Sequence, residues 1–277
     1  MFLDVFDCFW LKREIYYVTM FCEGGLKMLT DERRKKIVEL LDQQSIVKSQ
    51  DLITLLEASE STIRRDLQDL ENAGLLERVH GGARRPQYLE QELGMTEKSF
   101  KNVQQKQVIA KLASSYVTDG DVIYLDAGTT TLEMIPLLKG KVITAVTNSV
   151  GLASRLVEHE INTIVLGGRI KLTTDAVIGT QAIEQLTNYR FNKAFMGMNG
   201  VHIEHGFTTP DTEEASLKRL AMDHAQEVFV LVDYSKFNQV SFTRVANLEA
   251  ATILTDKCPL IVYDKIKELT TIKEATV

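Results

Sequence analysis

Six consecutive residues, Asp126-Ala127-Gly128-Thr129-Thr130-Thr131, bring together a carboxylate, a glycine and three hydroxyls. A glycine lets the backbone approach a ligand, and hydroxyls beside the N–H groups of a starting helix can hold a phosphate. A threonine-rich helix cap accounts for the same string equally well. A second cluster, Asp211, Glu214 and Lys218, has spacings of three and four, which project side chains together from a helix start. Ordinary capping with an ion pair one turn apart is the plainer explanation there. Lys236 adds a cation, either for a phosphate or simply for the surface. Carboxylates accept hydrogen bonds from hydroxyl donors. A carboxylate can equally act as a general base, with Asp126, Asp211, Glu214 and Asp233 as candidates. The pocket chemistry alone therefore leaves binding and catalysis open. There is no Walker lysine and no GxGxxG, so nucleotide binding is not indicated. The three cysteines, Cys8, Cys22 and Cys258, form no CxxC or Cys/His cluster, so neither zinc nor another cofactor is expected.

A different chemistry is concentrated nearer the N-terminus. Ser59, Glu60, Ser61, Thr62, Arg64 and Arg65 occupy the first turns of a helix expected from about Glu60 to Ala73. Hydroxyls suit phosphates or base edges, and arginine suits guanine or phosphate. The helix carries one narrow apolar stripe, Ile63, Leu67 and Leu70, with Ser59 as its cap and Gly74 as its stop. Two helices precede it. The first is capped by Thr30, has Ile37, Val38, Leu40 and Leu41 inside, and carries Arg33 and Arg34 on its first turns. The second is capped by Ser49 and buries Leu52, Ile53, Leu55 and Leu56. A short β-favouring stretch, Ile46-Val47-Lys48, separates them. After Gly74, residues 75–80 read as a strand containing Arg78 and His80, Gly81-Gly82 as a turn, and Ala83-Arg84-Arg85 as the return. This is the order of a winged helix-turn-helix that reads double-stranded DNA. A three-helix interaction module with solvated charges has the same spacing. His80 has no ligand partners nearby and is read as a wing residue that orders the turn or touches phosphate.

Residues 87–105 are polar, with a short helix around 96–101, and read as a linker after Pro86. From 106 onward helices alternate with strands at 122–125, 142–146, 163–166, 193–196, 228–232 and 251–254. That alternation predicts an α/β domain with a mostly parallel sheet, and ligands of such sheets bind just beyond the carboxyl ends of the strands. The polar strings cluster at those places. The expected domains are 28–85, a linker 86–105, and 106–277.

The chain has 277 residues and a net charge of −6, which argues against a nucleic-acid partner until its distribution is considered. Residues 28–85 carry ten Lys/Arg against eleven Asp/Glu, but the cations are paired as Arg33-Arg34, Lys35-Lys36, Arg64-Arg65 and Arg84-Arg85. Phosphate contact needs a local patch, not a net excess. No apolar run approaches the ~20 residues of a membrane span, and a reduced cytoplasm is the expected compartment. Residues 1–27 differ from the rest, holding seven of the twenty aromatics and two of the three cysteines. Asp4, Asp7 and Lys12-Arg13-Glu14 interrupt any signal-peptide core, and an amphipathic anchor or a floppy tail is the alternative. A GAG-GGA-GGN coding of Glu23-Gly24-Gly25 would contain a ribosome-binding sequence, and translation is expected to begin at Met28.

Ser59-Glu60-Ser61-Thr62-Ile63-Arg64-Arg65-Asp66-Leu67, Leu70-Glu71, Gly74-Leu75-Leu76 and Arg78-Val79-His80-Gly81-Gly82-Ala83 resemble the signature of the DeoR family of bacterial transcriptional regulators, with Ala58 where Val is common. The second half resembles that family's sensor domain. The matching residues are Asp126-Ala127-Gly128-Thr129-Thr130, Thr147-Asn148-Ser149, Gly167-Gly168, Asp175 with Gly179, Gly197 with Gly200, Gly206 with Asp211, Glu214 and Lys218, and Asp233 with Ser235-Lys236. Tyr234 stands where the family usually has Ser. The resemblance implies a sensor similar in fold to ribose-5-phosphate isomerase that binds a phosphorylated sugar through these residues and Thr131. Glu60-Ser61-Thr62-Ile63, residues 197–201, Thr208-Thr209-Pro210-Asp211 and Val240-Ser241-Phe242 resemble the fructose-operon repressors of low-GC Gram-positive bacteria, which implies fructose 1-phosphate as effector. A repressor released by a sugar phosphate is thus the first expectation, acting as a homodimer or homotetramer. A phosphosugar isomerase with an appended DNA reader is the second.

Overall fold

The computed structural model describes residues 29–44, 46–73, 75–84 and 94–275. Two compact units divide between Pro86 and Gln87. The stretch 1–27, the helix stop at Gly74, Arg85 and the break at Pro86 lie outside the described residues.

The first unit is built as its apolar spacing dictates. Helices α1 (Thr30–Gln44), α2 (Ser49–Leu55) and α3 (Glu60–Asn72) bury Ile37, Leu41, Leu52, Leu56, Ile63, Leu67 and Leu70 in one core. Ser59 caps α3, its Oγ accepting from the Thr62 N–H at 3.3 Å. Ser49 caps nothing: it is the first residue of α2, and its N–H donates to the Gly81 carbonyl at 2.8 Å. Strands β1 (Ile46–Lys48), β2 (Glu77–Val79) and β3 (Gly82–Arg84) form an antiparallel sheet in the order β1-β3-β2. The wing is therefore three-stranded. Its turn is His80-Gly81, and Gly82 belongs to the central strand. A Cβ on Gly82 would sit 2.0 Å from the Val47 carbonyl oxygen, so only glycine allows β1 to pair there.

The second unit opens with α4 (Met95–Phe100) and α5 (Val103–Ser115). Residues 94–105, read as a linker with a short helix around 96–101, thus belong to this unit and are mostly helical. Seven strands follow in one sheet: β4 (Val122–Leu125), β5 (Thr144–Thr147), β6 (Asn162–Val165), β9 (Phe191–Gly197), β12 (Ala225–Leu231), β14 (Thr252–Thr255) and β15 (Ile272–Glu274). All are parallel, in the order β15-β14-β12-β9-β4-β5-β6. Successive strand residues face opposite sides. Ile123, Leu125, Ala145, Phe195 and Phe229 join α5 and α7 (Val150–Glu158) in one core, while Tyr124, Val146, Ala194, Met196 and Val230 join α8 (Thr180–Leu186) and α9 (Thr212–Asp223) in the other. The chain runs outward from β4 to β6, then returns to the other side of β4 as β9. Such a reversal opens a crevice at the carboxyl ends of the two central strands. Two small additions were absent from the sequence reading: a hairpin of β7 (Arg169–Lys171) and β8 (Ala176–Ile178), and an antiparallel sheet of β10 (Gly200–His202), β11 (Gly206–Thr209) and β13 (Thr243–Ala246). Helix α10 (Leu260–Leu269) and β15 extend the domain beyond the last strand that the alternation suggested. No helix among the described residues is long and apolar enough to cross a membrane.

Candidate functional site

The first unit presents an exposed row at the start of α3. Ser59, Ser61, Arg64 and Arg65 are exposed, and Arg64 and Arg65 have no ion-pair partner among the described residues. Ser59, Ser61 and Thr62 hydrogen-bond one another through their hydroxyls at 2.8–3.0 Å. A shallow cleft beside them is lined by Thr30, Arg33, Arg34, Ser61, Thr62, Arg65 and Asp66. His80 and Gly81 lie exposed at the wing tip, with Gly81 at φ +82°.

Four other arginines of this unit are held by partners within it. Arg33 is 8% exposed, and its Nε donates to Asp66 at 2.6 Å. Arg34 donates to Asp66 at 3.0 Å and to Asp69, and these carboxylates hold its guanidinium charged. Two arginines of α1 thus clamp two aspartates of α3, setting the angle at which α3 is presented. Arg78 is tied to Gln68, and Arg84 makes a two-pronged pair with Glu77, its cross-strand neighbour, at 2.8 and 2.9 Å. Burial and pairing give Arg33 a structural role in place of the expected phosphate contact. Arg34, Arg78 and Arg84 brace the reader rather than face outward unpaired.

The second unit holds an open cavity of about 100 Å³ at the strand reversal. Its walls come from the loops after β4, β9 and β12: Gly128, Thr129, Thr130 and Thr131, then Gly197, Met198 and Asn199, then Val232, Asp233, Ser235 and Lys236. Glu214 and Lys218 reach it from α9. Five lysines line it, Lys98, Lys101, Lys106, Lys218 and Lys236, against two carboxylates, Glu214 and Asp233. That excess of cations suits an anion, and the carboxylates suit the hydroxyls of its carrier.

Several expected residues do not line this cavity but hold those that do. Asp126 is buried beneath it, accepting from the Gly197 N–H at 2.9 Å and from the Lys218 ammonium. Burial pushes its pKa up, against the Lys218 charge and the Gly197 N–H that favour the carboxylate. Thr131, which does line the cavity, also donates its hydroxyl to the Asp126 and Gly128 carbonyls, closing the loop on itself. Asn148 accepts the Ala127 N–H at 2.9 Å, Thr147 accepts the Ser149 N–H, and Ser149 caps α7. Asn148 thus scaffolds the threonine loop from the next strand, and Thr147 and Ser149 order the turn that carries it. Asp211 caps α9 and pairs with Lys171 at 3.0 Å. Burial acts to raise its pKa, but the Glu214 N–H and Lys171 outweigh it and hold the carboxyl below its ordinary value. Gly167 and Gly168 border a separate surface hollow with Gln185, and Asp175 is exposed in the β7–β8 turn. Its neighbour Thr174 is the residue that faces the cavity, donating to Glu214 at 2.7 Å.

The wall from α4 and α5 was missed altogether: Met95, Lys98, Lys101, Asn102 and Lys106. Its signal in the sequence was three lysines within nine residues, of which Lys98 and Lys101 fell in the stretch read as linker and Lys106 at the start of the next helix.

A winged reader joined to an α/β unit with an anion-suited cavity defines a ligand-sensing DNA-binding regulator. Residues 33–88 match the DeoR-like helix-turn-helix domain, and residues 101–257 match the DeoR C-terminal sensor domain. The chain belongs to the DeoR family of transcriptional regulators, and it is not an enzyme. The uncharacterized HTH-type transcriptional regulator FruR of Bacillus subtilis is 47% identical over 247 residues, covering 89% of this chain and 98% of that protein. The HTH-type transcriptional regulator GlpR of Haloferax volcanii is 37% identical over 80% of this chain and 88% of its own. A lactose phosphotransferase system repressor of Staphylococcus epidermidis is 31% identical over 85% of this chain and 96% of its own. A solved ribose 5-phosphate isomerase A from Methanocaldococcus jannaschii is a more distant likeness, with a TM-score of 0.38 and 22% identity over 50% of this chain and 55% of that one.

Proposed function

We propose that this regulator represses a sugar-utilisation operon in the cytoplasm and is released from operator DNA by a phosphorylated sugar. The observation that carries the reading is the lysine-rich cavity at the strand reversal, with hydroxyls on one side and carboxylates on another. A phosphate on the Gly128-Thr129-Thr130 loop and Lys236 would place the sugar hydroxyls toward Glu214 and Asp233. Relatives named as a lactose phosphotransferase system repressor and as a putative aga operon transcriptional repressor support a sugar-linked role. Fructose 1-phosphate is the phosphosugar that the resemblance in residues 60–63, 197–201 and 208–211 implies. A ligand changes DNA affinity only through differential affinity for two arrangements of the protein, so the effector favours one that fits the operator poorly. By linkage, operator DNA weakens effector binding by the same factor.

The test is a gel shift on operator DNA titrated with fructose 1-phosphate and, separately, with other phosphosugars. Wild-type protein is expected to release DNA on adding one of them. Thr129→Ala and Lys236→Ala are expected to bind operator normally and stay bound. Variants that release DNA at wild-type effector concentrations would remove the cavity from the sensing role.

A further inference from the structure

One wall of the cavity is not built by strand ends. It is α4, the first described helix after the DNA-binding unit, together with the Asn102 junction into α5. Polar contacts hold it in place. The Met95 N–H donates to the Thr173 carbonyl at 2.9 Å. Asn102, in the left-handed region at φ +51°, donates through Nδ2 to Asp233 Oδ1 at 3.1 Å and to Ser235 Oγ at 3.4 Å. The Lys106 ammonium donates to the Lys98 carbonyl at the end of α4. Apolar burial contributes little, because no residue of α4 is buried and Phe100 is 80% exposed. A short segment with few buried contacts belongs to the part of a fold that opens most easily.

This loosely held wall carries charge into the cavity. Lys98 and Lys101 line it from α4 and its C-cap, facing a space that Lys106, Lys218 and Lys236 also line. Lys101 has no ion-pair or hydrogen-bond partner for its ammonium among the described residues. Lys218 is neutralised by Asp126, whereas the ammoniums of Lys101 and Lys236 have no ion-pair partner among the described residues. Each added cation makes the α4 wall harder to keep closed when the cavity holds no anion, and easier when it does.

We propose that Lys101 is a ligand of the effector phosphate and that α4 closes on the bound anion. The inference rests on the phosphosugar reading of the cavity and adds the residue and the element that respond. Ligand binding stabilises the closed wall by its differential affinity for it.

The experiment uses the full chain as wild type, Lys101→Ala, Lys101→Arg and Lys236→Ala. Binding of fructose 1-phosphate, a panel of other phosphosugars and inorganic phosphate is measured by calorimetry. Backbone hydrogen exchange over residues 95–102 is followed with and without the tightest of them. In wild type, ligand is expected to slow exchange across 95–102. Lys101→Ala is expected to weaken binding roughly tenfold to a hundredfold, as loss of one charge-assisted hydrogen bond does, and to abolish the slowing. Lys101→Arg keeps most of both. If Lys236→Ala loses affinity while Lys101→Ala binds as wild type and exchange over 95–102 is unmoved by ligand, the role given to Lys101 and α4 is wrong and the cavity reading survives. If no member of the panel binds wild type, or Lys236→Ala binds as well as wild type, the cavity reading fails and this inference with it.

Discussion

Lys218 and Asp126 stand 92 residues apart in the chain and form an ion pair beneath the floor of the cavity, both almost wholly buried. The lysine also donates to the Gly197 carbonyl at 3.0 Å, and the aspartate accepts the Gly197 N–H, so one pair ties β4, β9 and α9 together. Removing one partner of such a pair leaves a buried charge uncompensated and costs about 3–5 kcal/mol, whereas removing both costs less. Asp126→Asn keeps an acceptor for the Gly197 N–H but strands the Lys218 charge. Adding Lys218→Met is therefore expected to raise stability above that of Asp126→Asn alone. Denaturant unfolding of the two variants checks this. A double variant less stable than the single would mean that the pair is not what holds the floor.

The reader separates arginines that look outward from arginines that brace. Arg64→Ala and Arg65→Ala are each expected to weaken operator binding by about 1–3 kcal/mol with the thermal transition unchanged. Arg33→Ala is expected to lower the thermal transition, because it leaves Asp66 buried with less compensation. Gel shifts paired with melting curves distinguish the two classes. Unchanged operator affinity for either exposed variant would take that residue out of the interface.

The sequence was most legible where its periods are long and its punctuation strong. Ile63, Leu67 and Leu70 predicted the face that α3 buries, and the polar strings after residues 125, 196 and 232 pointed to the strand ends that line the cavity. It was least legible where the same residue type serves two purposes. Arg33 and Arg64 are both first-turn arginines, and only the position of Asp66, 33 residues from Arg33, decides that one is buried. Asn148 looked like a ligand group but spends its side chain on the Ala127 N–H, a partner 21 residues away. Lys98 and Lys101 were hidden for the opposite reason. Their surroundings are polar and aperiodic, and their role depends on a docking of α4 that no local pattern encodes.

Gly81 and Gly82 are adjacent and should differ sharply. Gly81→Ala meets nothing within 4 Å, so its cost is the left-handed backbone at φ +82°, about 1–2 kcal/mol. Gly82→Ala drives a methyl into the Val47 carbonyl and must push β1 off β3. Gly82→Ala is expected to lose operator binding and to destabilise the unit well beyond Gly81→Ala. Equal melting temperatures for the two would show that β1 does not pair in the wing as described.

A single reader contacts too little DNA for tight specific binding, and helix-turn-helix operators usually mirror a protein two-fold. The regulator is expected to be a homodimer or homotetramer held mainly through its second unit. Light scattering of the full chain checks the mass. A monomer at working concentration with operator binding intact would contradict it.

The last prediction turns on Lys106. Burial pushes its ammonium below the ordinary lysine value, Asp233 and Glu133 oppose that, and Lys236 and Lys98 add to it. In the unfolded chain the group has its ordinary, higher pKa. Between the two values the unfolded state binds more protons, so the contribution of Lys106 to stability rises with pH across that window. A phosphate in the cavity acts the other way. It favours the charged lysine, raises its pKa, and so takes up a proton on binding. Phosphosugar affinity should be flat at neutral pH and fall as pH climbs through the lowered pKa toward the ordinary lysine value of about 10.4. Stability and effector affinity are therefore expected to move in opposite directions over the same alkaline window. Calorimetric titrations of wild type and Lys106→Gln across that window, with melting curves alongside, decide the matter. A Lys106→Gln protein whose affinity falls with pH as steeply as wild type would mean that Lys106 does not sense the bound phosphate.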